Sequence, residues 1–224
     1  MIEFDFLKEH KFISGCDEVG RGPLAGPVVG CSVGVSTNVD LLELFDFLRG
    51  LGVTDSKKLT AKKRQKLLSD LSLGDLVSEK LYEINILKKF SVRFYIREIS
   101  ESLIDEINIL NASLLTMKES FERISTKETA LLLIDGNKVP KDLDDYIDAK
   151  TIVKGDSKSV LIGLASVIAK EYRDDLMVKL GVKYPGYGLE KHAGYPTKMH
   201  KEAIAQFGIT PIHRKSFKGV KEYV

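Results

Sequence analysis

Apolar and polar positions fall along the chain in blocks whose period assigns an element to each. Phe12–Asp17 and Val28–Val35 are short runs on either side of a Gly/Pro-rich segment and read as a strand pair. Asp40–Leu51 alternates apolar and acidic residues as a short helix does, and 52–59 is a turn. Thr60 offers its hydroxyl to a helix over Ala61–Leu71, and Gly74 breaks the pattern. Leu76–Leu87 does not decide between helix and strand, whereas Val92–Ile99 reads as a strand. After Ser100, the residues Leu103, Ile107, Leu110, Leu114, Met117 and Phe121 recur at three- and four-residue steps, which predicts one helix with one buried face. Ala130–Ile134 is apolar throughout, as a strand covered on both faces must be, and Lys150–Val153 reads as another strand. Ser159–Leu180 is a long helix with a face of apolar and small residues. The tail, 183–224, mixes loops with a helix over Thr197–Phe207. Strands, helix, strand, strand, helix in that order predict an α/β fold, a mixed central sheet flanked by helices with a mainly helical C-terminal extension. No repeat or composition break divides residues 1–224, so one domain is expected.

Composition changes this picture little. The 224 residues are 43% hydrophobic and 29% charged, ordinary for a chain with a real core. No apolar run approaches the roughly 20 residues that span a bilayer. The acidic start Met1-Ile2-Glu3-Phe4-Asp5 does not read as a secretory signal, so a cytoplasmic protein without a membrane partner is expected. Cys16 and Cys31 form no CxxC and read as buried free thiols. The net charge of +2 gives no global pull toward nucleic acid, but bases outnumber acids from Lys179 onward and cluster again over 57–66.

Charge does change the reading of Gly15–Pro27. Asp17 and Glu18 sit together where an apolar strand meets a glycine loop. Successive side chains on a strand point to opposite faces, so aiming both at one ligand calls for a backbone break straight after them, which Gly20 and Gly22 permit. Gly20-x-Gly22-x-x-Ala25 imitates a dinucleotide fingerprint, but Pro27 and a β-branched run follow where that motif needs a helix. Two further predicted strands end in acid, at Asp135-Gly136 and at Gly155-Asp156. Four carboxylates drawn together resist ionising, and a divalent cation relieves them. Oxygen ligands without His or Cys point to Mg²⁺ or Mn²⁺ rather than zinc, and a pair of such ions suits phosphodiester hydrolysis. The histidines of the basic tail lack the cysteines and tight spacing of a zinc site.

Taken in order, several segments are similar to the type 2 ribonucleases H, the ribonuclease HII family. They are Cys16–Val28, Asp55-Ser56-Lys57-Lys58-Leu59, Asn108–Ala112, Ile134-Asp135-Gly136, Lys154–Ser157, Ala165–Lys170, Gly194-Tyr195-Pro196-Thr197 with His200, and His213–Phe217. The resemblance spans nearly the whole chain. It implies a ribonuclease H-like fold and hydrolysis of the RNA strand of RNA–DNA hybrids. It also implies nicking 5′ of a ribonucleotide embedded in duplex DNA, leaving a 3′-hydroxyl and a 5′-phosphate. Asp17, Glu18, Asp135 and Asp156 fall on the family's metal-binding catalytic carboxylates, served by two Mg²⁺ or Mn²⁺ ions. Gly20, Arg21 and Gly22 fall on the loop that contacts the 2′-hydroxyl, and Tyr195 on the tyrosine that packs on the next, deoxy sugar. Ser56 and Lys57 are further candidates for substrate phosphates and Arg214 for a phosphate or a structural hydrogen bond, with the extension 183–224 contributing to binding and the protein acting as a monomer. Ala193 stands where the family usually carries lysine. Two other readings share parts of this pattern: a DNA nuclease or strand-transfer enzyme with the same acidic site, and a non-catalytic hybrid-binding protein.

Overall fold

Six runs of the chain pair into one mixed sheet in the computed structural model, which describes residues 2–6 and 9–224. The strands are β1 (Phe12–Val19), β2 (Val28–Ser36), β3 (Leu81–Ile86), β4 (Phe90–Ile99), β5 (Ala130–Asp135) and β6 (Ile147–Ile152), in the order β3-β4-β2-β1-β5-β6. The first four strands pair antiparallel, while β5 lies parallel to β1 and β6 parallel to β5. The helices are α1 (Leu42–Gly50), α2 (Ala61–Asp70), α3 (Glu101–Ile107), α4 (Ile109–Ile124), α5 (Val160–Lys183), α6 (Leu189–His192) and α7 (Lys198–Phe207).

Alternation along the strands divides the core. Ile13, Val33, Leu131 and Leu133 pack with α1, α2 and α5, and Phe12, Cys16, Leu132 and Ile134 pack with Met117 and Phe121 of α4 on the opposite face. Cys16 and Cys31 are free and buried on opposite faces. One glycine decides how closely α5 approaches. A Cβ on Gly15 would lie 2.3 Å from the Ile162 amide nitrogen, so only glycine lets the first turn of α5 cross β1 at that height. That crossing brings the turn before α5 alongside the end of β1.

Three elements differ from the sequence pattern. The single helix expected after Ser100 is two: Asn108 sits at φ +66°, and its side chain accepts the Leu110 and Asn111 amides, starting α4 afresh. The resulting change of axis leaves Leu110 exposed although it lies on the periodic stripe. The undecided stretch before Leu87 contributes β3, an edge strand joined to β4 through Leu87 and Lys88, both at positive φ as a tight hairpin turn requires. Finally, β1 does not break after Glu18. It stays paired with β2 through Val19 while its pairing with β5 ends at Cys16.

The C-terminal extension carries α6, α7 and a final 3-10 turn at Lys221–Tyr223. Leu189, Ala203, Ile204, Ile212 and Val220 gather around Leu24, Ala25 and Met177, a small core beneath the Gly/Pro segment. No helix among the described residues is long and apolar enough to cross a membrane.

Candidate active site

The acids gather where the pairing of β1 with β5 ends. Asp17 on β1 and Asp135 at the end of β5 are one step beyond the last paired residues, Cys16 and Ile134, and so share the α5 face. Asp156 arrives from the 3-10 turn Gly155–Ser157 that leads into α5, not from a strand end. The turn is tied to β5 because the Gly155 amide donates to Asp135 Oδ1 at 2.6 Å. Asp17 Oδ1 accepts the Glu18 amide at 2.7 Å, and Ser166 on α5 lies beside its carboxylate and partly offsets the effect of burial. Ser166 is in turn linked to Ser56 Oγ at 2.8 Å.

The carboxylates act on one another. Burial pushes Asp17 well above the usual carboxylate range, and Glu18 and Asp135 add to that. Glu18 is pushed up to about 7, chiefly by burial, with Arg21 pulling it down and Asp135 pushing it up. Asp156 is raised by burial and then by Asp135 and Asp55. No three His, Cys, Asp or Glu side chains among the described residues are already closed into a coordinating group. The donor set nonetheless fits a hard divalent cation: it is oxygen alone, and Asp17, Glu18 and Asp156 are held toward neutrality, chiefly by burial. Two cations moderate it. Arg21 Nη1 stands 3.4 Å from Glu18 Oε1, and the exposed Lys57 acts on both Glu18 and Asp156.

The glycine loop forms the other wall, and two buried arginines shape it. Arg214 donates from Nη2 to the Gly20 carbonyl at 2.6 Å, from Nη1 to that of Arg21 at 3.0 Å and from Nε to that of Gly26 at 2.9 Å. Arg173 on α5 donates to the carbonyls of Pro27, Ala25 and Ala193 at 3.1–3.2 Å. Burial lowers both, Arg173 to about 10 and Arg214 to about 9, so both stay cationic at neutral pH. Arg173 thereby joins the glycine loop to the residue before Gly194. The Leu24 amide donates to the Gly194 carbonyl at 2.8 Å, and a Cβ on Gly194 would lie 2.5 Å from the Ala25 oxygen. The two segments touch through backbone, which only glycine allows. The half-exposed Tyr195 ring lies over Gly22, where an added Cβ would stand 3.3 Å from Tyr195 Cε1.

The structure therefore brings Asp17, Glu18, Asp135 and Asp156 together, with Lys57 and Arg21 beside them, and sets Gly22 against Tyr195 and Gly20 against Arg173. Two substrate candidates face the protein interior, Arg214 in the structural one of its two expected roles and Ser56 away from its expected one. Arg214 is fully buried and spends its guanidinium on loop carbonyls, so it shapes the loop instead of meeting a phosphate. Ser56 is buried and accepts the Ser166 hydroxyl, so it faces the protein interior. Residues not singled out from sequence are Asp55, Ser166, Arg173 and His192. Ser166 had one legible signal, a hydroxyl inside the apolar face of α5; Arg173 had none, because its neighbours Tyr172 and Asp174 make it look like a solvated helix position.

Residues 14–220 match the sequence profile of the family described as Ribonuclease HII. The chain is 42% identical to the Ribonuclease HII of Leuconostoc mesenteroides over 97% of its own length and 74% of that protein. Its fold is similar to the crystal structure of ribonuclease H2 from Pyrococcus horikoshii, with a TM-score of 0.64 and 26% identity over 95% of this chain and 96% of that one. It is also similar to the ribonuclease HII of Archaeoglobus fulgidus, solved in complex with PCNA, with a TM-score of 0.65 and 25% identity over 92% and 95% of the two chains.

Proposed function

Because the chain belongs to the ribonuclease HII family, metal-dependent hydrolases that act on RNA in RNA–DNA hybrids, we propose that it also nicks duplex DNA on the 5′ side of an embedded ribonucleotide, leaving a 3′-hydroxyl and a 5′-phosphate. The observation that carries this reading is the continuity of the two walls. The glycine loop runs on from the strand that bears Asp17 and Glu18, Arg21 touches Glu18, and Gly22 touches Tyr195.

Asp17, Glu18, Asp135 and Asp156 would hold Mg²⁺ or Mn²⁺, two ions during the reaction. When bound, these supply the counter-charge and Lewis acidity that phosphodiester hydrolysis needs. The chain's own groups do the rest. Glu18, raised to about 7, gives up a proton from its carboxyl before it can act as a full oxygen donor. Lys57 offers an exposed ammonium next to the acids for a neighbouring phosphate. The carbonyls of Gly20, Arg21 and Gly26 are turned to Arg214, which fixes the loop in one conformation without a ligand. A fixed, glycine-exposed backbone is suited to meet a 2′-hydroxyl, the group that separates RNA from DNA. The flat Tyr195 ring beside it suits a sugar that lacks one. The unit that acts is the single chain, with residues 183–224 contributing Tyr195.

The test is cleavage of a DNA duplex carrying one ribonucleotide, with Mg²⁺ and with Mn²⁺ and with product ends mapped. One cut on the 5′ side of the ribonucleotide, with no cut in an all-DNA duplex, is expected. Equal nicking of the all-DNA duplex would reject the 2′-hydroxyl reading in favour of a DNA nuclease.

A further inference from the structure

Three of the four histidines of the chain lie together behind Tyr195, and their hydrogen bonds define one proton arrangement. His200 Nδ1 faces the Tyr195 carbonyl at 3.1 Å; a carbonyl only accepts, so Nδ1 carries the hydrogen. His213 Nδ1 receives the Thr210 amide at 3.0 Å, so its hydrogen is on Nε2. His213 Nε2 lies 3.2 Å from His200 Nε2, donor facing lone pair. His192 Nδ1 receives the Gly194 amide at 3.2 Å, and its Nε2 donates to the Tyr187 carbonyl at 2.9 Å. All six ring nitrogens thus have protein partners, which leaves no lone pair for a metal. The His192 and His200 rings stack with centroids 4.7 Å apart.

We propose that His200 and His213, stacked with His192, are positioning residues: three neutral imidazoles that grip the backbone at Gly194 and Tyr195 and thereby hold the Tyr195 ring over Gly22. The inference rests on the reading of Tyr195 given above. His192 takes the amide of Gly194, His200 supplies the carbonyl of Tyr195, and His213 anchors His200 from the far side. His200 and His213 are fully buried, so no solvent replaces a lost link. An added proton disrupts this arrangement, with only the Thr210 hydroxyl, 2.8 Å from His213 Nδ1, able to accept it. On His200 it would set N–H against N–H at His213, and on His213 it would set N–H against the Thr210 amide. The titratable groups facing the pair are His192 from α6 and the Tyr187 ring, 5.3 Å from His213; Arg214 turns its guanidinium toward the glycine loop. Among the described residues, no carboxylate figures among the main influences on either ring. Burial and the neighbouring imidazoles accordingly push both below the usual histidine range, His213 to about 4.

The experiment uses the full chain and one ratio: kcat/KM on a one-ribonucleotide duplex divided by kcat/KM on a long RNA–DNA hybrid. Acid titration of the carboxylates affects both substrates and cancels. His200→Leu is expected to lower the ratio about tenfold, mainly through KM. His200→Asn, which keeps an N–H donor at the δ position, restores most of it, as a merely space-filling histidine would not. The wild-type ratio falls as pH drops below 6.5 toward 4, and that of His200→Leu falls less. A folded His200→Leu with the wild-type ratio overturns the proposal. Tyr195→Ala provides the reference: if it leaves the ratio unchanged, the Tyr195 reading fails instead. ¹⁵N NMR of the wild type decides in that case, or if His200→Leu does not fold. Neutral His200 with Nδ1–H and neutral His213 with Nε2–H at pH 7 are expected, and a cationic ring or the opposite tautomer overturns the relay.

Discussion

Asp17, Glu18 and Asp156 are each driven toward the protonated form by burial and by a neighbouring carboxylate, Asp135 acting on all three, with Arg21 and Lys57 as partial offsets. A few residues away, Arg173 and Arg214 are as deeply buried and carry charge too, yet each spends its guanidinium on backbone carbonyls, and the three imidazoles behind Tyr195 are satisfied at every nitrogen. The contrast follows from what each wall must do. Charge left unbalanced in the folded protein is charge that a cation and a phosphate can balance later, so the acidic wall gives up stability to bind. The glycine wall has to discriminate one hydroxyl, which calls for a backbone already in place.

The largest effect should come from breaking the satisfied wall. Arg214→Ala removes the donors to the Gly20, Arg21 and Gly26 carbonyls and should destabilise by about 3–5 kcal/mol, seen as a fall in Tm of roughly 2–4 °C per kcal/mol. A loss under about 1 kcal/mol would mean that the loop is not held this way. The next test uses sign. Glu18 has a folded pKa of about 7 against 4.5 for the free group, so its stabilising contribution is present below pH 4.5 and lost as pH rises through 7. In EDTA, Glu18→Gln should therefore match wild type near pH 4.5 and exceed it by about 2–3 kcal/mol at pH 7.5 in denaturant titrations. His200 and His213 behave oppositely: their folded values are lowered, so their contribution is present above about 6.5 and lost as pH falls toward 4. A Glu18→Gln gap that does not change with pH would remove the contrast. The smallest effect on stability belongs to Gly22→Ala. Its methyl would meet an exposed ring edge at 3.3 Å, so stability should change by less than about 0.5 kcal/mol while KM for a one-ribonucleotide duplex rises.

Much of this was legible in the chain because charge and period are local signals. Acids at the ends of apolar runs marked the acidic wall, and β1, β2, β5 and α5 were visible from their patterns. What was not legible depends on partners distant in sequence. Asn108 interrupts a perfect helical stripe because its own side chain caps the next helix. Arg214 stood between phosphate and structural hydrogen bonding because a sequence cannot say that one guanidinium makes four hydrogen bonds to carbonyls nearly two hundred residues away. The expected break after Glu18 was unnecessary, since the acids gather where the pairing of β1 with β5 ends while β2 continues to pair with β1. The histidines of the tail showed neither their contact nor their tautomers.

The account turns on the acids opposing one another in the folded protein, and Asp156→Asn measures that most directly. With metal removed by EDTA at pH 7.5, the variant should melt a few degrees above wild type, a gain of about 1 kcal/mol. With Mg²⁺ restored it should have lost about a thousandfold or more in activity. A variant that melts lower than wild type in EDTA, or one that retains activity, would contradict it.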